Sequence, residues 1–224
     1  MRAPLAIGGL LAAIALISIG CRRGGSSDAG HAPSFLARLE FPTAGSGRAK
    51  PTGLIAGDFD GDGKDDIVAA TRSPGGIEIW SGISPVIGPA PEPRVFPFGD
   101  YPIGPVWLGA ADSSRKSARS LAAVASRETL DLTVIDLVAS MKAKAGSELA
   151  VRWRAKLLAR PRAIASGDLG RDGKPEVAVI TIEDELLVYT GPEAPKHLSL
   201  AKEHAVCALL ASDGERIAVG YQAS

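Results

Sequence analysis

The chain reads as an all-β protein of β-propeller-type blades, each made of four short antiparallel strands. Three observations predict this. First, Gly57-Asp58-Phe59-Asp60-Gly61-Asp62-Gly63-Lys64-Asp65-Asp66-Ile67-Val68-Ala69 recurs as Gly167-Asp168-Leu169-Gly170-Arg171-Asp172-Gly173-Lys174-Pro175-Glu176-Val177-Ala178-Val179. A weaker copy spans Asp112–Val124, near the midpoint, and a shortened one spans Ser212–Val219, so the period is about 55 residues. Second, each copy is flanked by short apolar runs separated by polar turns, which is the pattern of strands. Third, Gly is 26 and Pro is 16 while aromatics are only 5%. Many turns and few large side chains fit many short elements better than a few long helices.

Taken in order, the chain opens with a segment without charge from Ala3 to Cys21, behind the single cation Arg2. This is the pattern of a secretory signal, assigned to residues 1–20. Its length is borderline for a permanent span, and Gly8, Gly9 and Gly20 weaken it as one. Residues 21–34, opening on Cys21-Arg22-Arg23-Gly24-Gly25-Ser26-Ser27, read as a flexible linker. Phe35–Phe41 reads as a lone outer strand. Four units follow, near 53–98, 104–157, 162–200 and 205–224, the last incomplete.

In the first unit the strands are expected around Leu54–Ala56, Ile67–Thr71, Ile77–Trp80 and Arg94–Phe98. In the second they are a short apolar run after the loop, then Leu130–Val138 after Arg127-Glu128, and Val151–Leu157; a helical turn over Met141–Leu149 is the one alternative, and no helix is assigned. In the third they are Ala163–Ala165, Val177–Ile182, Leu186–Tyr189 and His197–Leu200, and the fourth stops at Ile217–Gln222. Four strands per unit is the content of one propeller blade. Residues 35–224 make about three and a half units at this period, fewer than the four of the smallest closed rings. The expectation is an open arc, from a fragment or a truncated reading frame of a larger ring.

The repeated Asp-rich loops and their flanking strands resemble FG-GAP/VCBS repeats, as in integrin α-subunit propellers and many bacterial secreted proteins. The likeness covers residues 35–224 and is carried mainly by the first and third units. It implies a Ca²⁺ loop joining the first two strands of a blade. It also implies a module that binds proteins, peptides or glycans through loops on one face. Separately, Leu16-Ile17-Ser18-Ile19-Gly20-Cys21 resembles a bacterial lipobox, although Ser18 stands where Leu is usual. That resemblance implies cleavage before Cys21, diacylglycerol on its sulfur, and an exported protein tethered to a membrane of the cell envelope.

Asp58, Asp60, Asp62 and Asp66 occupy positions 1, 3, 5 and 9 of a tight loop, with Gly63 at position 6. Lys64 at position 7 offers its backbone carbonyl. Hard oxygen donors at this spacing suit Ca²⁺, which takes six to eight oxygens. Ala69 at position 12 and the flanking strands separate the loop from an EF-hand. The third unit keeps Asp168, Asp172, Lys174 and Glu176, with Gly170 at position 3, and reads as a weaker site. The second has Asp112, Ser114, Lys116 and Ser120, and Lys116 places an ammonium where a cation would sit.

Lys+Arg and Asp+Glu are both 25, so no basic excess points to nucleic acid. The 46% hydrophobic content supports a packed core and excludes wholesale disorder. With Cys21 lipidated, Cys207 has no intrachain partner, and in its apolar run it reads as a small buried hydrophobe. No HExxH, GxSxG or strand-linked GxGxxG is present, and His31, His197 and His204 form no motif. Trp80, Trp107 and Trp153 read as packing residues, and Arg152, Arg154, Arg160 and Arg162 as solvated edge charges. The expected function is a non-catalytic, calcium-stabilised binding or scaffolding module. The alternative is a fragment of a propeller-type carbohydrate-active enzyme such as a polysaccharide lyase.

Overall fold

The computed structural model describes residues 50–72, 75–83, 91–99, 101–110, 120–144, 146–169, 172, 174–199, 205–210 and 217–221. Phe35–Phe41, Cys21 and the second loop at 111–119 lie outside the described residues. The first blade comprises β1 (Lys50–Gly57), β2 (Asp65–Arg72), β3 (Gly76–Ile83) and β4 (Arg94–Pro97). The second comprises β5 (Pro102–Ala110), β6 (Ser120–Ser126), β7 (Asp131–Asp136) and β8 (Val151–Lys156), with α1 (Leu137–Lys142) between β7 and β8. The third comprises β9 (Pro161–Gly167), β10 (Glu176–Thr181), β11 (Glu185–Tyr189) and β12 (Lys196–Ser199). The hairpin of β13 (Ala205–Leu210) and β14 (Ile217–Tyr221) follows. Each sheet is antiparallel with its strands side by side in chain order. The first strands are neighbours across the array: β1 runs beside β5, β5 beside β9, and β9 beside β13.

Alternation along the strands explains why the middle strands carry unbroken apolar runs. In β2, Ile67 and Ala69 face one side, into a cluster with Trp80 and Ile83. Val68 and Ala70 face the other side, with Ile77, Ile79 and Phe96 of the same blade and Ala122, Val124 and Ile135 of the second. The opposite face of β6 and β7 presents Ala123, Ala125, Leu132 and Val134 to Val177, Val179, Leu187 and Tyr189 of the third blade. Ala178, Ile180, Leu186 and Val188 then form a cluster on the far face of that blade. A blade is buried on both faces, so period-two alternation between core and solvent is absent from its middle strands.

The inner strands approach so closely that one contact requires glycine. A Cβ on Gly53 of β1 would lie 2.1 Å from the carbonyl oxygen of Gly104 in β5. The helix α1 corrects the sequence reading, which assigned none and ran a strand to Val138. Asp136 ends the strand and caps the helix: its side chain accepts the Ala139 N–H at 2.9 Å, and Ser140 Oγ donates to the Asp136 carbonyl at 2.8 Å. Leu137 and Met141 pack between the first two blades, and Arg94 of β4 donates to the Ala143 carbonyl just beyond the helix.

Candidate metal centre

The loop between β1 and β2 folds on its own carboxylates. Asp58 accepts the Gly61 N–H through Oδ1 at 2.8 Å and the Gly63 N–H through Oδ2 at 3.0 Å. Asp60 Oδ1 accepts the Asp62 N–H at 3.1 Å, and Asp62 Oδ1 accepts the Lys64 N–H at 2.8 Å. Both are the local turns that a short acidic side chain favours. Gly63 holds φ at +83°, a conformation that costs other residues strain.

Asp66 differs from the others. It is 0% exposed, and both oxygens are engaged: Oδ2 by the Phe59 N–H at 3.0 Å and Oδ1 by the Gly82 N–H at the end of β3 at 2.8 Å. Burial raises its pKa above the ordinary carboxylate value; the Gly82 and Phe59 N–H groups pull it back, and the charges of Asp60 and Asp62 push it further up. Carboxylate oxygens of Asp58, Asp60 and Asp66 lie within 4.8 Å of one another. Asp62 is outside this group, and Lys64 extends into solvent.

The third loop repeats part of this pattern. Asp168 Oδ1 accepts the Asp172 N–H at 3.0 Å, and Asp172 Oδ1 accepts the Lys174 N–H at 2.9 Å. Glu176 stands in for Asp66, accepting the Leu169 N–H at 2.5 Å. Among the described residues only the first loop gathers three carboxylates. The Lys174 ammonium lies 3.7 Å from Asp172, both well exposed.

The remaining sequence candidates separate clearly. Trp80 is buried and Trp153 packs at the joint of the second and third blades, whereas Trp107 is 48% exposed. Arg152, Arg154 and Arg160 are exposed, but Arg162 is not a free edge charge, because it pairs with Asp184 at 3.1 Å. His197 is exposed on β12. A cleft of about 730 Å³ opens between the first two blades, lined by Pro97, Phe98, Thr133, Leu149, Val151 and Arg154 among others. The sequence reading missed Gly82 and Phe59 as partners of Asp66; the only signal was a glycine closing an apolar run.

With blades stacked through their first strands, the architecture is decided. The described residues build a partial β-propeller. It is similar to two solved structures of BBS1N in complex with ARL6DN, one soaked with mercury and one with lead. The first aligns with a TM-score of 0.52 at 12% identity, over 76% of this chain and 48% of that one. The second aligns at 0.51 and 18%, over 76% and 47%. The likeness is one of fold, and this chain spans about half the length of the chains it matches. No protein-family model matches the chain, and no curated protein does.

Proposed function

We propose that this chain is a non-catalytic binding or scaffolding module of the FG-GAP/VCBS type, stabilised by Ca²⁺ and tethered to a membrane through lipid on Cys21. The observation that carries the binding role is the blade architecture, shared with a domain crystallised in complex with a protein. Its ligand in this reading is a protein or a glycan. A glycan array and a polysaccharide-cleavage assay run side by side test it: cleavage by the purified chain would replace the binding reading with the enzyme one.

Calcium fits the residues present. Asp58, Asp60 and Asp66 supply hard oxygen donors in one loop. Each Asp58 and Asp66 oxygen accepts one backbone N–H, and a carboxylate oxygen has a second lone-pair direction to offer a cation. The Lys64 carbonyl would complete the set in the first loop, and Asp168, Asp172, the Lys174 carbonyl and Glu176 would hold a weaker site in the third. The ion would neutralise carboxylates that otherwise repel. Extracellular calcium modules bind at about 10⁻⁴ to 10⁻³ M, and Ca²⁺ at a hundredfold excess over the dissociation constant stabilises by about 2.7 kcal/mol. The melting temperature is expected to rise with Ca²⁺, and Asp60→Ala to remove most of that rise. A melting curve indifferent to both Ca²⁺ and EDTA would overturn the calcium part.

The tether is a separate matter. Expressed in a bacterium that processes lipoproteins, the chain is expected to incorporate labelled fatty acid and partition into detergent, and Cys21→Ser to abolish both. Unlabelled parent protein would leave an ordinary signal or anchor.

A further inference from the structure

We propose that Phe59 is the joint through which the Asp58–Asp66 loop sets how the first blade packs on the second, with Trp107 as the side chain that receives it. Phe59 is fixed at both ends. Its N–H is held by Asp66 Oδ2 at 3.0 Å. Its ring, 2% exposed, lies in the cluster shared by Val68 and Ile79 of the first blade and Ala122, Val124 and Ile135 of the second. Backbone and ring belong to one residue, so a loop that lets go of the Phe59 N–H also withdraws the ring from between the blades.

Trp107 of β5 stands on the far side of that contact. Its ring lies 5.7 Å from the Phe59 ring, tilted by 59°. Its Nε1 donates to Ser120 Oγ at 2.9 Å, and its carbonyl accepts from Ser166 Oγ of the third blade at 2.6 Å. Trp107 therefore has contacts in all three blades, and its half-exposed ring changes surroundings when Phe59 moves. The third blade repeats the linkage with a smaller side chain: the Leu169 N–H is held by Glu176, and Leu169 packs on Ala178, Ile180, Leu186 and Val188.

The test uses the whole chain labelled with 5-fluorotryptophan, whose three tryptophans give three fluorine lines, and Trp107→Phe assigns the one of interest. Gly63→Val strains the loop where φ is +83°, and a Cβ added there meets nothing within 4 Å. This variant is expected to shift the Trp107 line in chelator and to leave the Trp153 line in place. Ca²⁺ is expected to shift the Trp107 line of the parent; this arm alone rests on the calcium reading. Phe59→Leu, which keeps an apolar side chain, is expected to lose both responses, while calorimetry finds its Ca²⁺ affinity within about threefold of the parent. A Trp107 line that ignores Gly63→Val, or a Phe59→Leu protein that responds like the parent, overturns the proposal. So does a parent that binds Ca²⁺ by calorimetry with no movement of that line. Absence of binding heat would refute the calcium reading instead, and the Gly63→Val arm would then decide alone.

Discussion

Asp66 does two jobs that oppose each other energetically. Burial disfavours its charge and raises its pKa, so the folded protein holds the Asp66 proton more tightly than the unfolded chain does. Through that window, which opens at the ordinary value of 3.8, stability falls as pH rises, and the cost persists at neutral pH unless a cation offsets it. Against this, the same carboxylate satisfies the Phe59 and Gly82 N–H groups. A buried donor left unsatisfied costs about 1–3 kcal/mol, so losing both outweighs relief of the charge. Asp66→Ala is therefore expected to destabilise the metal-free protein by about 1–3 kcal/mol in urea unfolding. Asp62→Ala, exposed and holding only a local turn, is expected to stay within about 0.5 kcal/mol. Equal effects would refute this ranking. The spacing of the acidic residues was legible because positions 1, 3, 5 and 9 are adjacent in sequence. The Gly82 N–H was not, since it reaches Asp66 from sixteen residues away through the pairing of β2 with β3.

Strands were legible wherever burial on both faces leaves an unbroken apolar run, as in Val177–Ile180 and Ile67–Ala70. Outer strands were legible only from their place in the repeat: β4 and β12 are four residues each, with mixed polarity and a single pairing partner. The helix was missed for a physical reason. Leu130–Val138 carries enough apolar and β-branched residues to pass for one long strand, and the cap that ends it is a lone aspartate, Asp136. Asp136, a residue type that favours the N-cap, standing just ahead of Leu137-Val138-Ala139-Ser140-Met141 was the available signal. The inner strands posed the opposite problem. Nothing in Gly53 or Gly104 announces that β1 and β5 touch backbone to backbone, because a glycine in a strand equally marks a bulge or a turn.

Across the whole molecule, the repeat period dictates how many blades form, while the joints between them depend on residues far apart in sequence. The two joints among the described blades are built differently. The first is plugged by Phe59 and the helix residues Leu137 and Met141. The second pairs the Tyr189 hydroxyl of β11 with the Lys156 carbonyl of β8 at 3.3 Å, beside the Ser166 bond to Trp107. Tyr189 is 1% exposed, and burial raises its pKa above the ordinary 10.0. The unfolded chain therefore gives up this proton first as pH rises. The sign follows: Tyr189 contributes fully below about pH 10 and its contribution is lost as pH climbs toward the raised value. Tyr189→Phe deletes both the hydrogen bond and the titration. At neutral pH the variant is expected to be less stable than the parent by about 0.5–1.5 kcal/mol, the ordinary worth of one such bond. Above about pH 10 the gap should narrow, because only the parent still has a phenol to ionise on unfolding. Every other group is common to the two proteins, so the difference between the two urea-unfolding series isolates Tyr189. A gap constant from neutral to alkaline pH would mean that the hydroxyl is solvated and that the joint of the second and third blades is held by packing and the Ser166 bond alone.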